Sequence, residues 1–340
     1  MRAWLLVVVA GCYSPHPQTG SPCSDTEPCP ATLVCSSSSH SCEVTNGSID
    51  APLAIDAGDV DACVPSREFC GDGIDQDCDG IDPPCPVNDT PSNPTDIGAG
   101  GTFTADLTYA HDDAAGAGSF NCGTAGGRDV YYKIRPTADE VYYIDTFGSD
   151  FDTTIRVYHN ASCSGLASNG FCRNDACGTL QSQYDGTMTL GDNCVVIRQR
   201  TSTETNGHLV VHVERGQRTG GRLTQNATIT GTTCGAGLDF NGTCGGAGPN
   251  SDYYLATCPG TTTLTATTCN AGSTYDSSLF VTDAGGAELA CNDDDLACVS
   301  STASSTVTNV QLSGAHLFWV IVDTQSVAGC GPYSLTTTIN

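Results

Sequence analysis

Lysine is almost missing from this chain. Lys133 is the single example in 340 residues, and the 12 Lys and Arg together face 38 Asp and Glu, for a formal net charge of −26. Such a surface repels phosphate backbones and anionic headgroups and attracts cations, so nucleic acid is not an expected partner. Long apolar runs are missing too. The stretch Ala3 to Ala10 near the start falls far short of the roughly 20 residues that a bilayer span requires. No segment keeps a helical period, which excludes a helical bundle. Neither H-E-x-x-H nor G-x-S-x-G occurs, which removes the commonest metalloprotease and serine-hydrolase signatures. Carboxylate pairs abound, but in so acidic a chain their abundance identifies no glycosidase.

What the chain has is cysteine, 21 in all. That number implies an oxidising compartment. The start agrees: MRAWLLVVVAGC has a basic Arg2, an apolar run and small residues before Cys12, the layout of an export signal. Val9, Ala10, Gly11 and Cys12 resemble a bacterial lipobox, which implies cleavage before Cys12 and acylation of its thiol. Setting Cys12 aside leaves an even 20. The expected location is the cell envelope, as an outer-membrane lipoprotein facing the periplasm or the cell surface, with the membrane as a partner through the lipid.

After a signal at residues 1–11 the chain reads as a flexible tether (12–22), a knot of Cys23, Cys29, Cys35 and Cys42 (23–42), an acidic linker (43–62), an Asp/Cys module with Cys63, Cys70, Cys78 and Cys85 (63–86) and a Pro-rich linker (87–96). The first knot has no C-x-x-C pair, which disfavours zinc, and it is too short to bury a core, so two disulfides would have to hold it.

Beyond residue 96, Thr and Val dominate and Gly, Asn and Asp turns recur at short intervals, the pattern of antiparallel β-sandwiches. This half also repeats itself at an offset of about 120 residues. SFNCGTAGGRDVYY (119–132) aligns with DFNGTCGGAGPNSDYY (239–254), FGSDFDTTIRVY (147–158) with AGSTYDSSLFVT (271–282), and FCRNDAC (171–177) with ACNDDDLAC (290–298). The expected fold is mainly β: two tandem jelly-roll-like antiparallel β-sandwiches, 97–218 and 219–340, preceded by small disulfide-rich, loop-dominated segments. The GS-x-[FY]-D-[ST] motif, the C-N-D-D turn, the VIVD strand (320–323) and GPYSLT (331–336) resemble the bacterial pre-peptidase C-terminal domain. That resemblance implies a module that binds or spaces and does not cleave.

The densest chemistry lies in CGDGIDQDCDGIDPPC (70–85). Asp75, Asp77, Asp79 and Gly80 fit the first, third, fifth and sixth positions of a D-x-D-x-D-G calcium loop, and the Ile81 carbonyl fits the seventh. Pro86 stands where an EF-hand has its closing Glu, so this is not an EF-hand. Asp72 and Asp82 are further candidate ligands, and DGID occurs twice. The stretch resembles the aspartate-cysteine motif of MopE-type metal-binding surface proteins and, more distantly, thrombospondin type 3 loops. Calcium is the expected cofactor, since hard oxygen donors predominate, and disulfides at Cys70, Cys78 and Cys85 would hold the carboxylates together.

Asp150, Asp152, Asn174 and Asp175 in the first copy, and Asp276, Asn292, Asp293, Asp294 and Asp295 in the second, form possible second metal clusters. Turn formation is the favoured reading. Cys172 with Cys177, and Cys291 with Cys298, are candidate staples for these turns, with other pairings open. The first sandwich holds five cysteines and the second seven, so either one bridge joins them or two thiols stay free. His208 and His212 sit four apart in a segment of strand texture, about 13 Å from one another, too far to share an ion.

Together these observations predict a non-catalytic surface lipoprotein with a calcium-stabilised stalk, whose sandwiches capture a polysaccharide or protein. The alternatives are an accessory or degenerate relative of a secreted hydrolase, which needs a deep pocket with converging His, Asp or Ser, and an envelope spacer. A binding module is expected to show exposed Tyr and Trp.

Overall fold

The computed structural model describes residues 29, 33–35, 42, 43, 64–116, 126–166, 170–238, 240–246, 248–273, 275–326 and 328–340. Cys12, the tether and the acidic linker lie outside these residues. The chain divides into two units, 1–62 and 63–340. In the first, β1 (Val34–Cys35) pairs antiparallel with β2 (Cys42–Glu43), Cys29 is bonded to Cys42 and Cys35 is also disulfide-bonded.

Among the described residues the second unit holds two sandwiches of nine strands each. The first consists of β3 (Thr95–Asp96), β4 (Gly101–Asp106), β5 (Asp129–Ile134), β6 (Glu140–Asp145), β7 (Thr153–Tyr158), β8 (Phe171–Asn174), β9 (Gln183–Met188), β10 (Asn193–Gln199) and β11 (His208–Arg215). The second consists of β12 (Gly221–Arg222), β13 (Thr228–Thr232), β14 (Ser251–Ala256), β15 (Thr261–Thr267), β16 (Ser277–Asp283), β17 (Glu288–Asn292), β18 (Thr306–Ser313), β19 (Leu317–Thr324) and β20 (Pro332–Ile339). Strand order is β3-β5-β10-β7-β8 over β4-β11-β6-β9 in one, and β12-β14-β19-β16-β17 over β13-β20-β15-β18 in the other. Adding nine to each label of the first order yields the second, so the sequence repeat is a repeat of topology. Pairing is antiparallel apart from β3 with β5 and β12 with β14.

Sequence logic for the repeat extends to its buried polar groups. Thr146, Thr153 and Ser182 bond through their hydroxyls (Thr146 Oγ1 to Thr153 Oγ1, 2.6 Å) and tie three strand ends together. Thr268, Ser277 and Ser305 do the same in the second copy, with 2.8 Å between the Thr268 and Ser277 hydroxyls. The serine of each GS motif has one task as well. Ser149 Oγ accepts the Val210 N–H at 3.0 Å and Ser273 Oγ accepts that of Ser334 at 3.1 Å, satisfying a buried donor in the last strand of each copy.

Each sandwich has its own apolar core. A third cluster joins them: Val141 and Tyr143, on the outer face of β6, pack with Tyr254, Phe280, Leu317, Trp319 and Ile321. The four sheets therefore stack as successive layers, and β19 is buried along its whole length. That is why it reads LFWVIV, a continuous apolar run, and not an alternation. The connection between the sandwiches crosses this seam closely; a Cβ at Gly216 or at Gly220 would come within 2.7 Å of the Trp319 ring. Arg222 also pairs with Asp185 across the seam, and Cys177 is bonded to Cys258.

Several expectations need correction. Cys177 is not paired with Cys172, nor Cys291 with Cys298. Cys291 is bonded to Cys244 and Cys298 to Cys269, while Cys172 is disulfide-bonded elsewhere. The turns are held by their own hydrogen bonds, which frees the cysteines to link separate segments, and Cys177–Cys258 is the bridge between sandwiches that the odd counts allowed. The span 87–96 is not a loose linker. Asn88 and Asp89 are buried, Asn88 Nδ2 donates to the Tyr131 carbonyl at 3.0 Å, and β3 extends the β5 sheet edge. Nor is the Asp/Cys module a length of stalk. Cys70 N–H bonds to the Tyr109 carbonyl at 2.9 Å and Arg128 Nη2 to the Glu68 carbonyl at 2.8 Å, docking the module on the first sandwich.

Candidate metal site

Two turns of identical construction form the Asp/Cys loop, one for each DGID. Asp72 Oδ1 accepts the Ile74 N–H at 2.9 Å and Asp79 Oδ1 accepts that of Ile81 at 2.8 Å. Gly73 and Gly80 take φ of 79° and 88°, which a side chain would resist. The last aspartate of each tetrapeptide then reaches across to the other turn. Asp75 accepts the Asp79 and Gly80 N–H groups at 3.1 and 2.8 Å; Asp82 accepts those of Gly71 and Gly73 at 2.6 and 2.7 Å. A disulfide between Cys70 and Cys85 closes the pair, and Cys78 is disulfide-bonded too. All five aspartates, Asp77 included through the Asp79 N–H at 3.2 Å, are thus bound to backbone donors that stabilise their charge.

Only two of the five candidate aspartates converge, and a carboxylate from outside the candidate set joins them. Glu68, Asp75 and Asp77 each place a donor oxygen within 4.8 Å of the others. Glu68 lies before the first cysteine of the loop and carries no motif signal. It is only 4% exposed. Its Oε2 accepts the N–H groups of Gln76 and Asp77 at 2.7 and 2.9 Å, whereas its Oε1, also buried, has no hydrogen-bond donor among the described residues. A buried carboxylate oxygen left unpaired is costly. A donor set of three carboxylates matches a hard divalent cation, which takes six to eight oxygens in all. Asp72, Asp79 and Asp82 serve the turns, and Ile81 is exposed.

Next to this set lies a cavity of about 320 Å³ bounded by Arg67, Glu68, Asp77, Tyr109, Arg128 and Thr203, among others. Burial, reinforced by the Arg67 charge, pulls the Arg128 guanidinium down to about 10.

The second sequence clusters are turn structures. In the first copy Arg200 bridges Asp152 at 3.2 Å and Asp175 at 3.6 Å, supplying internally the cation that a metal would provide. Asn174 Nδ2 donates to Asp175 at 2.7 Å, and Asp150 bonds through its backbone to His208 and Asn206. In the second copy Gln325 takes the place of Arg200 and donates to Asp293. Burial, then the charges of Asp293 and Asp294, raise the Asp276 carboxyl above its ordinary range. Asn292 accepts the Thr306 N–H, and Asp295 that of Ala297. Among the described residues neither cluster brings three carboxylate or imidazole donors within 4.8 Å.

Among the described residues no exposed face of tyrosine or tryptophan accompanies these sites. Tyr131, Tyr132, Tyr142, Tyr143 and Trp319 are all buried in cores or the seam, and the large exposed apolar residues among those described are aliphatic apart from Phe171.

No protein-family model and no curated protein matches the chain. Among solved structures it is similar to the pre-peptidase C-terminal domain of a collagenase from Bacillus anthracis, at 9% identity and a TM-score of 0.24 over 36% of this chain and 96% of that one. It is likewise similar to PliG, a periplasmic inhibitor of g-type lysozyme from Aeromonas hydrophila, at 15% identity and a TM-score of 0.23, with 36% and 96% covered. The CUB1-EGF-CUB2 region of human MASP-1/3 matches at 9% identity and a TM-score of 0.20, over 70% of this chain and 99% of that one. At these values nothing that those proteins bind or act on transfers to this chain.

Proposed function

We propose that this protein is a non-catalytic, extracytoplasmic module, anchored through a lipid on Cys12, in which calcium held by Glu68, Asp75 and Asp77 locks the Asp/Cys loop onto a rigid pair of β-sandwiches. The observation that carries the reading is the buried, unpaired Glu68 Oε1 facing two further carboxylates. Calcium would satisfy that oxygen and offset the mutual repulsion of the three charges. The role of the ion is then to order the junction between anchor and sandwiches. Ligand capture, of polysaccharide or protein, falls to grooves and aliphatic patches and not to an aromatic face. The missing aromatic face also favours a second reading, a rigid envelope spacer.

Calorimetric titration of the metal-free protein with Ca2+, beside Glu68→Gln and the double variant Asp75→Asn/Asp77→Asn, tests the site. Wild-type protein is expected to bind one ion here, and both variants to lose it. Equal binding by all three proteins would refute the assignment.

A further inference from the structure

A second set of donors lies at the seam, assembled from both sandwiches. His212 and Glu214 are two apart on β11 and so share its outer face; His316 immediately precedes β19. The three side chains each offer a donor atom within 4.8 Å of the others. Hydrogen bonds to neighbouring groups orient His212 and Glu214 toward one another. His212 Nδ1 bonds to Asp145 Oδ2 at 3.2 Å, so its Nε2 points to Glu214 Oε1, 3.8 Å away. Glu214 Oε2 accepts the Leu317 N–H at 2.7 Å, which pins the carboxylate and leaves Oε1 free to face both rings. His316 Nδ1 contacts that same oxygen. The imidazoles sit 5.5 Å apart, edge to face.

We propose that His212, Glu214 and His316 form a binding site for zinc or a similar transition-metal ion that bridges the two sandwiches. Two imidazoles and one carboxylate are borderline donors that suit zinc and not calcium. A carboxylate behind a ligating histidine, as Asp145 stands behind His212, fixes the ring tautomer and orientation that a metal needs. Glu214 and His316 also line a groove of about 740 Å³ bounded by Gly100, Arg215, Asp283, Leu289, Gln311 and Phe318, among others, from which a fourth ligand would reach the ion. Solvent or a small external donor fits there. The ion would join β11 of one sandwich to the start of β19 in the other, reinforcing the apolar seam. This site shares no residue with the calcium loop.

The test is titration of chelator-treated protein with Co2+ and Zn2+. One Co2+ per chain with the intense visible bands of a four-coordinate ion, displaced by Zn2+, is the expected result. His212→Gln and His316→Gln should each weaken zinc at least about 10-fold, and Asp145→Asn by roughly 10- to 100-fold. Glu68→Gln should leave zinc binding unchanged, and excess Ca2+ should not compete. The proposal is overturned if wild-type protein shows only the pale spectrum of six-coordinate Co2+, or if both histidine variants bind zinc as the wild type does. Should a variant fail to fold by circular dichroism, the wild-type cobalt spectrum alone decides.

Discussion

Replacing Trp319 with Ala should uncouple the two sandwiches without unfolding either. Trp319 is fully buried, and its ring fills the third apolar cluster against Val141 and Tyr143 of the first sandwich and Tyr254 of its own. Arg218, on the connection, lies 5.5 Å from the ring centroid. Truncating a buried tryptophan costs about 3–5 kcal/mol. One opposing effect reduces this. The indole Nε1 has no acceptor among the described residues, and a buried unsatisfied donor costs about 1–3 kcal/mol that the alanine variant no longer bears. The net loss should be about 2 kcal/mol, within a range of about 0–4 kcal/mol, and confined to the seam because the two inner cores do not contain Trp319. Trp319→Phe keeps most of the ring and also removes the orphan N–H, so it should cost less than about 1.5 kcal/mol. Denaturant unfolding followed by circular dichroism is the assay, with hydrogen exchange at residues 214–222 reporting the connection. The alanine variant should show two transitions where the wild type shows one. A single transition at the wild-type midpoint, or equal losses for Phe and Ala, would refute the account of the seam.

Two other outcomes follow from the same packing. Replacing Cys177 and Cys258 with Ala opens a loop with a sequence separation of 81, and chain entropy sets the expected loss at about 4.5 kcal/mol at most; an unchanged urea midpoint under oxidising conditions would count against it. Asp129, buried at the start of β5, has its carboxyl pushed up to about 8, by burial first, against the N–H bond from Ala114 and the Arg198 charge. Between about pH 4 and that value the folded protein holds a proton that the unfolded chain has released, so the contribution is complete below about pH 4 and lost as pH rises through about 8. The slope is at most ~1.4 kcal/mol per pH unit. Asp129→Asn should flatten it in urea unfolding at pH 5, 7 and 9, and an unchanged slope would rule Asp129 out as its source.

Much of the architecture was legible because local rules and tertiary structure agree. The repeated GS motifs mark serines that satisfy a backbone donor in the closing strand, so a motif built for one local bond recurs wherever that bond does. The pair of DGID tetrapeptides likewise encodes two identical turns, since Asp and Gly supply the side-chain acceptor and the positive φ within four residues. Two of the three converging carboxylates were legible for the same reason: Asp75 and Asp77 belong to the turn, and their spacing is written in it. Glu68 was not legible, because nothing in its neighbours distinguishes it from a surface acid until the first sandwich buries it. The disulfide pairings and the place of the linker were misread on similar grounds, proximity in sequence having been taken for proximity in space.

Composition, periodicity and internal repetition determined by themselves that this chain is acidic, disulfide-rich and built from two copies of one β-sandwich, since each is a property of residue order within a strand or a turn. Only the tertiary structure decided that the copies stack into one body, that Cys177 bridges them, that the Asp/Cys loop docks against the first, and that His212 meets His316. His212 and His316 alone are 104 positions apart, and no local rule relates such residues until packing of the outer faces of β6 and β19 removes water from between the sheets.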